Sequence, residues 1–267
     1  MRALSVLCFS IFVLASCGGG SLNTSNTGSN HVANQESPAL PANSASQTVN
    51  ITSPDGVILV GTYLESPIPN QPALLLLHQW QSDRHSYDDF AKRMQAQGFN
   101  VLSLDGRGFG ESTKTADGKT VGPSRTDDAV KAMLNDVGAA YDFLSKQAKV
   151  DADRIEIIGA SYGSSLAIIY AANNHKVAAV ALLSPGLNYF GNMQTEPAAK
   201  KYGNRPLLLV AAKDDAESAD AVGKLKEEST SMCDVQIYDK GGHGTHLFET
   251  QAGLVDRLEY FLLASVK

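Results

Sequence analysis

The chain has 267 residues, with 22 basic and 28 acidic side chains, a formal net charge of −6 and 43% hydrophobic residues. That apolar share fits a packed globular body and excludes a collagen-like chain. The acidic balance leaves no basic footprint for a nucleic-acid partner, and three cysteines are too few for a disulfide scaffold.

The amino terminus reads Met1-Arg2, an apolar run over 3–15, then Ser16-Cys17. One cation, an apolar core of about a dozen residues and small residues before a cut site have the form of a secretory signal. The run falls short of the roughly 20 apolar residues that a membrane-spanning helix needs. Leu14-Ala15-Ser16-Cys17 resembles the lipobox of bacterial lipoproteins, which implies a signal over 1–16 and a lipid on Cys17. Cys8 would leave with the signal, and mature Cys233 would then have no intrachain disulfide partner. Residues 18–47 are rich in Gly, Ser, Asn, Thr and Ala, with Glu36 the only formal charge. Such a segment cannot bury enough apolar surface to offset the entropy of ordering it. It reads as a tether with an end-to-end distance on the order of 30 Å. Gly18 after the cysteine, by resemblance to Gram-negative lipoproteins, implies the outer membrane.

From residue 48 to the end, apolar runs alternate with amphipathic stretches. Strands are expected over 49–52 and 57–64, with a turn at Pro54-Asp55-Gly56, and then over 73–77. A helix over 86–97 stops at Gly98, and strand 99–104, helix 127–146, strand 154–158 and helix 164–173 follow. Strands 177–183 and 207–211, helix 219–228, strand 235–238 and helix 247–263 complete the series. This alternation argues for an α/β fold with a mostly parallel sheet covered by helices on both faces, in one domain over 48–267.

In such sheets chemistry gathers at the carboxyl ends of the strands. Gly159-Ala160-Ser161-Tyr162-Gly163 stands between a strand and a helix, the context that makes G-x-S-x-G a nucleophile turn. A serine hydroxyl needs a base, and Gly241-Gly242-His243-Gly244 offers His243 after the last strand, with His246 as a rival facing outward. The pair does not read as metal ligands, because no third ligand stands at a useful spacing. A carboxylate must then orient the imidazole, and both Asp214 and Asp215 follow strand 207–211, with Asp215 preferred. The order Ser161, Asp215, His243 matches one of the three known triad orders.

With these residues in place, the chain resembles the α/β-hydrolase superfamily, within the dienelactone-hydrolase-like and serine-aminopeptidase-like group. Asp105-Gly106-Arg107-Gly108-Phe109-Gly110-Glu111-Ser112 is similar to the D-x-R-G-x-G-x-S stretch of that family. The resemblance also favours Asp215 as the acid. It places the oxyanion turn at His78-Gln79-Trp80, with Gln79 where glycine is usual, and implies an oxyanion hole of the Trp80 and Tyr162 backbone N–H groups. His78 itself reads as a hydrogen-bonded structural group, and Arg84, His85 and Tyr87 fit a pocket rim or the surface. The segment Ser184–Pro206 is too short for a sizeable helical cap, so little or no cap domain is expected, with Tyr189, Phe190 and Met193 as apolar substrate contacts.

The expectation is therefore a lipid-anchored serine hydrolase, most simply a carboxylesterase for small or exposed esters, with no metal or organic cofactor. A peptidase, thioesterase or acyltransferase could use the same triad, and a surface protein could use the fold for binding alone.

Overall fold

Alternation along the strands decides which layer each side chain meets. In the strand 71–77, Leu74 and Leu76 point to one face of the sheet, whereas Ala73, Leu75 and Leu77 point to the other. In the strand 207–212, Leu208, Val210 and Ala212 share the first face, and Leu207, Leu209 and Ala211 share the second. Two apolar faces require two covering layers of helices, and the computed structural model has them. It describes residues 46–230 and 232–266, so the signal, Cys17 and almost all of the tether lie outside the described residues.

Strands β1 (Gln47–Thr52) and β2 (Val57–Leu64) form the leading hairpin, followed by β3 (Gln71–Leu77), α1 (Asp88–Ala96) and β4 (Asn100–Leu104). The two-residue β5 (Lys114–Thr115), α2 (Asp127–Ser145), β6 (Val150–Ala160), α3 (Tyr162–Asn173) and β7 (Val177–Leu183) come next. A small hairpin of β8 (Asn188–Tyr189) and β9 (Met193–Gln194) precedes α4 (Glu196–Tyr202) and β10 (Leu207–Ala212). The chain continues through α5 (Ala216–Glu228), β11 (Cys233–Tyr238), α6 (Leu247–Thr250) and α7 (Leu254–Ser265). The main sheet has the order β1-β2-β4-β3-β6-β7-β10-β11, with β5 beside β2. Its first two strands are antiparallel to their neighbours, and every pairing from β4 to β11 is parallel.

Helix α2 shows why a segment becomes a covering helix. The Thr126 side chain caps it by accepting from the Ala129 N–H, and Asp127 and Asp128 lie in its first turn against the positive end of the dipole. Val130, Met133, Val137, Ala140 and Leu144 form its buried stripe on the sheet. On the opposite face α1 and α7 contribute Phe90, Met94, Leu258 and Leu262.

One expectation changes. The helix expected over 247–263 is broken, because Gln251 takes extended backbone at the end of α6 and its side chain donates to the Lys240 carbonyl at 2.7 Å. Ser184–Pro206 folds as the β8–β9 hairpin and two turns of α4, too little for a cap domain.

Candidate active site

Ser161 stands between the last residue of β6 and the first of α3, with φ 54° and ψ −122°. That backbone conformation is unfavourable for any residue with a Cβ, so the surroundings must impose it. They do so by close approach. A Cβ on Gly159 would overlap the Gly163 carbonyl, and one on Gly163 would lie 2.6 Å from the carbonyl oxygens of both Leu77 and His78. The turn is fixed further by the Ser161 N–H donating to Leu183 O at 2.8 Å and by the Ser164 hydroxyl donating to Ser161 O at 2.6 Å. Ser164 thus does more than begin a helix.

The Ser161 Oγ lies 2.7 Å from His243 Nε2, and His243 Nδ1 lies 2.7 Å from Asp215 Oδ2. A carboxylate only accepts, so Nδ1 carries the proton and Nε2 is left to accept from the serine. Asp215 occupies the N-cap position of α5 but makes no capping bond, and its carboxylate reaches His243 instead. Asp214 has a separate task, accepting from the N–H groups of Gly241 and Gly242 at 3.1 and 3.2 Å. Those bonds hold its carboxyl below the usual range.

The loop bearing His243 is held on its other side as well. Gly244 N–H donates to the Ser184 hydroxyl at 2.8 Å, and Thr245 N–H donates to Gln79 Oε1 at 2.6 Å. Gln79, in the position where glycine is usual, does not have a positive φ, so a side chain fits there without strain. His246 lies away, exposed and 3.8 Å from Glu249.

The Trp80 and Tyr162 N–H groups donate to no described residue, and Tyr162 opens α3, where the helix dipole is positive. The Trp80 ring packs edge-on against Phe109, Tyr162 and Phe190, with centroid distances of 4.8, 5.3 and 4.7 Å. Tyr189 and Phe190 therefore line this end of the sheet, whereas Met193 is fully buried in the core. The Tyr189 hydroxyl donates to Ser184 O at 3.2 Å and is raised chiefly by burial.

The D-x-R-G stretch is framework. Asp105 is fully buried, accepting from the Arg84 and Glu111 N–H groups at 2.7 and 2.8 Å and pairing with the Arg84 guanidinium. Arg107 pairs with Asp136 and Asp55. His78 is buried, with Nδ1 2.7 Å from Gln79 O and Nε2 accepting from the Gly106 N–H at 2.9 Å. Burial pushes its pKa down, which keeps the ring neutral and suited to that acceptor role. Arg84 and Tyr87 are buried rather than at a rim or on the surface, while His85 is exposed beside Asp88. Ser184 is a positioning group that sequence reasoning missed, and Asp214, weighed there only as the triad acid, holds the His243 loop instead. Their signal was only their place directly after two central strands.

The sheet order, the strained serine turn and the late histidine loop define an α/β-hydrolase. The family model for serine aminopeptidases (S33) matches residues 68–204, just over half of the chain, and the chain belongs to that family. It is 28% identical over 144 residues to the polyketide transferase af380 of Aspergillus fumigatus, covering 54% of this chain and 46% of that protein. It is 32% identical over 103 residues to the quorum-quenching protein AidA of Acinetobacter baumannii, covering 39% of this chain and 31% of that one. The matched segments thus span under half the length of these relatives. Among solved structures, the chain shares its fold with the Pyrococcus furiosus esterase Pf2001 at TM-score 0.69 and 18% identity, over 84% of this chain and 92% of that one. Acetyl xylan esterase 1 of a Thermoanaerobacterium species aligns at TM-score 0.69 and 19% identity, over 83% and 84% of the two chains.

Proposed function

We propose that the protein is a serine hydrolase that cleaves carboxylic esters through Ser161, His243 and Asp215. The observation that carries this reading is the unbroken hydrogen-bond chain from Asp215 through His243 to Ser161. The Ser161 oxygen bonds to the substrate carbonyl carbon as its proton passes to His243 Nε2. The carbonyl electron pair moves onto oxygen, where the Trp80 and Tyr162 N–H groups receive it. Collapse restores the carbonyl and breaks the bond to the alcohol oxygen, which leaves with the proton from His243. Water repeats the sequence on the acyl-enzyme, releasing the acid and restoring Ser161. A Ser184–Pro206 segment too small to form a cap domain suits small or exposed esters.

A fluorophosphonate tests the nucleophile. A single adduct on Ser161, lost in His243→Ala, is the expected result; an unlabelled, well-folded protein would remove the hydrolase reading. A second reading is acyl transfer, in which an alcohol replaces the deacylating water. It draws support from the likeness to the Aspergillus fumigatus polyketide transferase. Product analysis with an added alcohol separates the two, because a transferase gives a new ester and a hydrolase gives the free acid.

A lipid anchor is part of the same proposal: signal 1–16, a lipid on Cys17, a tether to residue 47 and the outer membrane as destination. Metabolic labelling with a fatty-acid analogue, lost in Cys17→Ser, is the expected outcome.

A further inference from the structure

Arg125 lies at the base of α2, and its guanidinium carbon sits 4.8 Å from the ring centroids of both Trp80 and Phe190. Among the described arginines its situation differs from the rest. Arg84, Arg93, Arg107, Arg154 and Arg257 each pair with a carboxylate, and Arg205 donates to backbone carbonyls. No described carboxylate lies within ion-pair distance of Arg125, and its guanidinium donates to no described acceptor. The side chain is exposed, so its charge faces solvent on one side and two aromatic faces on the other.

This cation is held in place. Asn192 donates to the Arg125 carbonyl at 3.0 Å and to Asp127 at 2.9 Å, which turns the neighbouring acid away to the β8–β9 hairpin. Thr126 begins α2 directly after it. The aromatic contacts fix the other end, since a guanidinium stacks on ring faces while keeping its N–H edge free for an acceptor. The two rings it covers belong to the wall beside the candidate oxyanion donors. His243 must protonate the departing alcohol, so the alcohol lies on the His243 side of the carbonyl. The Trp80 ring packs with Phe109, Tyr162 and Phe190, none of them on the His243 loop, and this wall is left for the acyl chain.

We propose that Arg125 is a specificity-determining residue that binds a carboxylate at the far end of the acyl chain, so that monoesters of short dicarboxylic acids are preferred substrates. This rests on the ester-hydrolase reading above. A chain of net charge −6 has no general attraction for anions, so a preference for an anionic ester must come from a local cation.

The test compares the full-length protein on para-nitrophenyl butyrate and on the para-nitrophenyl monoester of glutaric acid, with Arg125→Gln and Arg125→Lys alongside. The expected result is a preference for the glutarate monoester carried by KM and weakened by salt. The ratio of kcat/KM for the anionic ester to that for the neutral ester should fall about fivefold in Arg125→Gln, and Arg125→Lys should restore part of it. Adipate and succinate monoesters report the reach from the carbonyl to the guanidinium. An unchanged ratio in Arg125→Gln, with the butyrate ester still hydrolysed, overturns this inference alone. Failure of the wild-type protein on both esters overturns the ester-hydrolase reading with it.

Discussion

Gln79 Oε1 accepts from both the N–H and the hydroxyl of Thr245, at 2.6 and 3.1 Å, and so ties the turn at His78-Gln79-Trp80 to the loop that carries His243. A glycine there would leave both donors without this partner. An unsatisfied N–H in a partly buried site costs about 1–3 kcal/mol, and here part of that cost falls on the placement of His243. Gln79→Ala should therefore lower kcat about tenfold with a small change in KM. Thr245→Val keeps the backbone bond and should lose much less. Equal kcat values for Gln79→Ala and wild type in an ester assay would show that the tie is dispensable.

The two adjacent acids after β10 have separable duties. Asp215 faces His243 Nδ1, so Asp215→Asn places an amide where only an acceptor holds the required tautomer. A loss of about 10⁴ in kcat is expected from the corresponding change in a serine protease. Asp214 only receives two backbone N–H groups. Asp214→Asn keeps one acceptor oxygen there and should lose tenfold or less. A reversed ranking in steady-state kinetics would exchange the two roles.

The parts of this architecture that read directly from sequence are those whose constraints are local. Five consecutive residues around Ser161 contain both glycines that the close approach demands, and each strand carries its own apolar run. Choosing Asp215 over Asp214 depends on how α5 starts after β10, and no pattern within either residue's neighbourhood encodes that. The resemblance to the α/β-hydrolases favoured the residue that meets His243. Arg84 reads as a pocket-rim or surface cation because its partner Asp105 is 21 positions away, just after β4. The break between α6 and α7 is likewise tertiary, since Gln251 leaves the helical conformation as its side chain reaches Lys240 O. Met193 is apolar enough for a substrate contact, yet the β8–β9 hairpin turns it into the core.

The strain at Ser161 has a measurable consequence for stability. Its φ of 54° is one that glycine adopts freely and that alanine does not. Ser161→Gly should therefore be more stable than Ser161→Ala by about 1 kcal/mol, despite the extra entropy of glycine in the unfolded chain. For a domain of this size that corresponds to a rise in Tm of roughly 2–4 °C. Both variants lack the Ser161 hydroxyl, so thermal unfolding compares them on the backbone conformation alone. An alanine variant as stable as the glycine variant would mean that the turn relaxes.

Glu156 makes the stability of the fold depend on pH. It is fully buried on β6, the Ser265 hydroxyl donates to Oε1, and Oε2 has no partner among the described residues. Burial pushes its carboxyl well above the usual range, against the smaller opposing effect of the Ser265 bond. The folded protein thus binds this proton more tightly than the unfolded chain, whose glutamates titrate near about 4.3. Below that value the protonated acid costs nothing extra. As pH rises from there through the folded pKa, the unfolded chain releases the proton and gains ground, so stability falls. Glu156→Gln is neutral throughout and removes this slope. Its Tm should match wild type near pH 4.5 and exceed it increasingly toward pH 8, and a difference that stays constant across that range would show that Glu156 is charged in the folded protein.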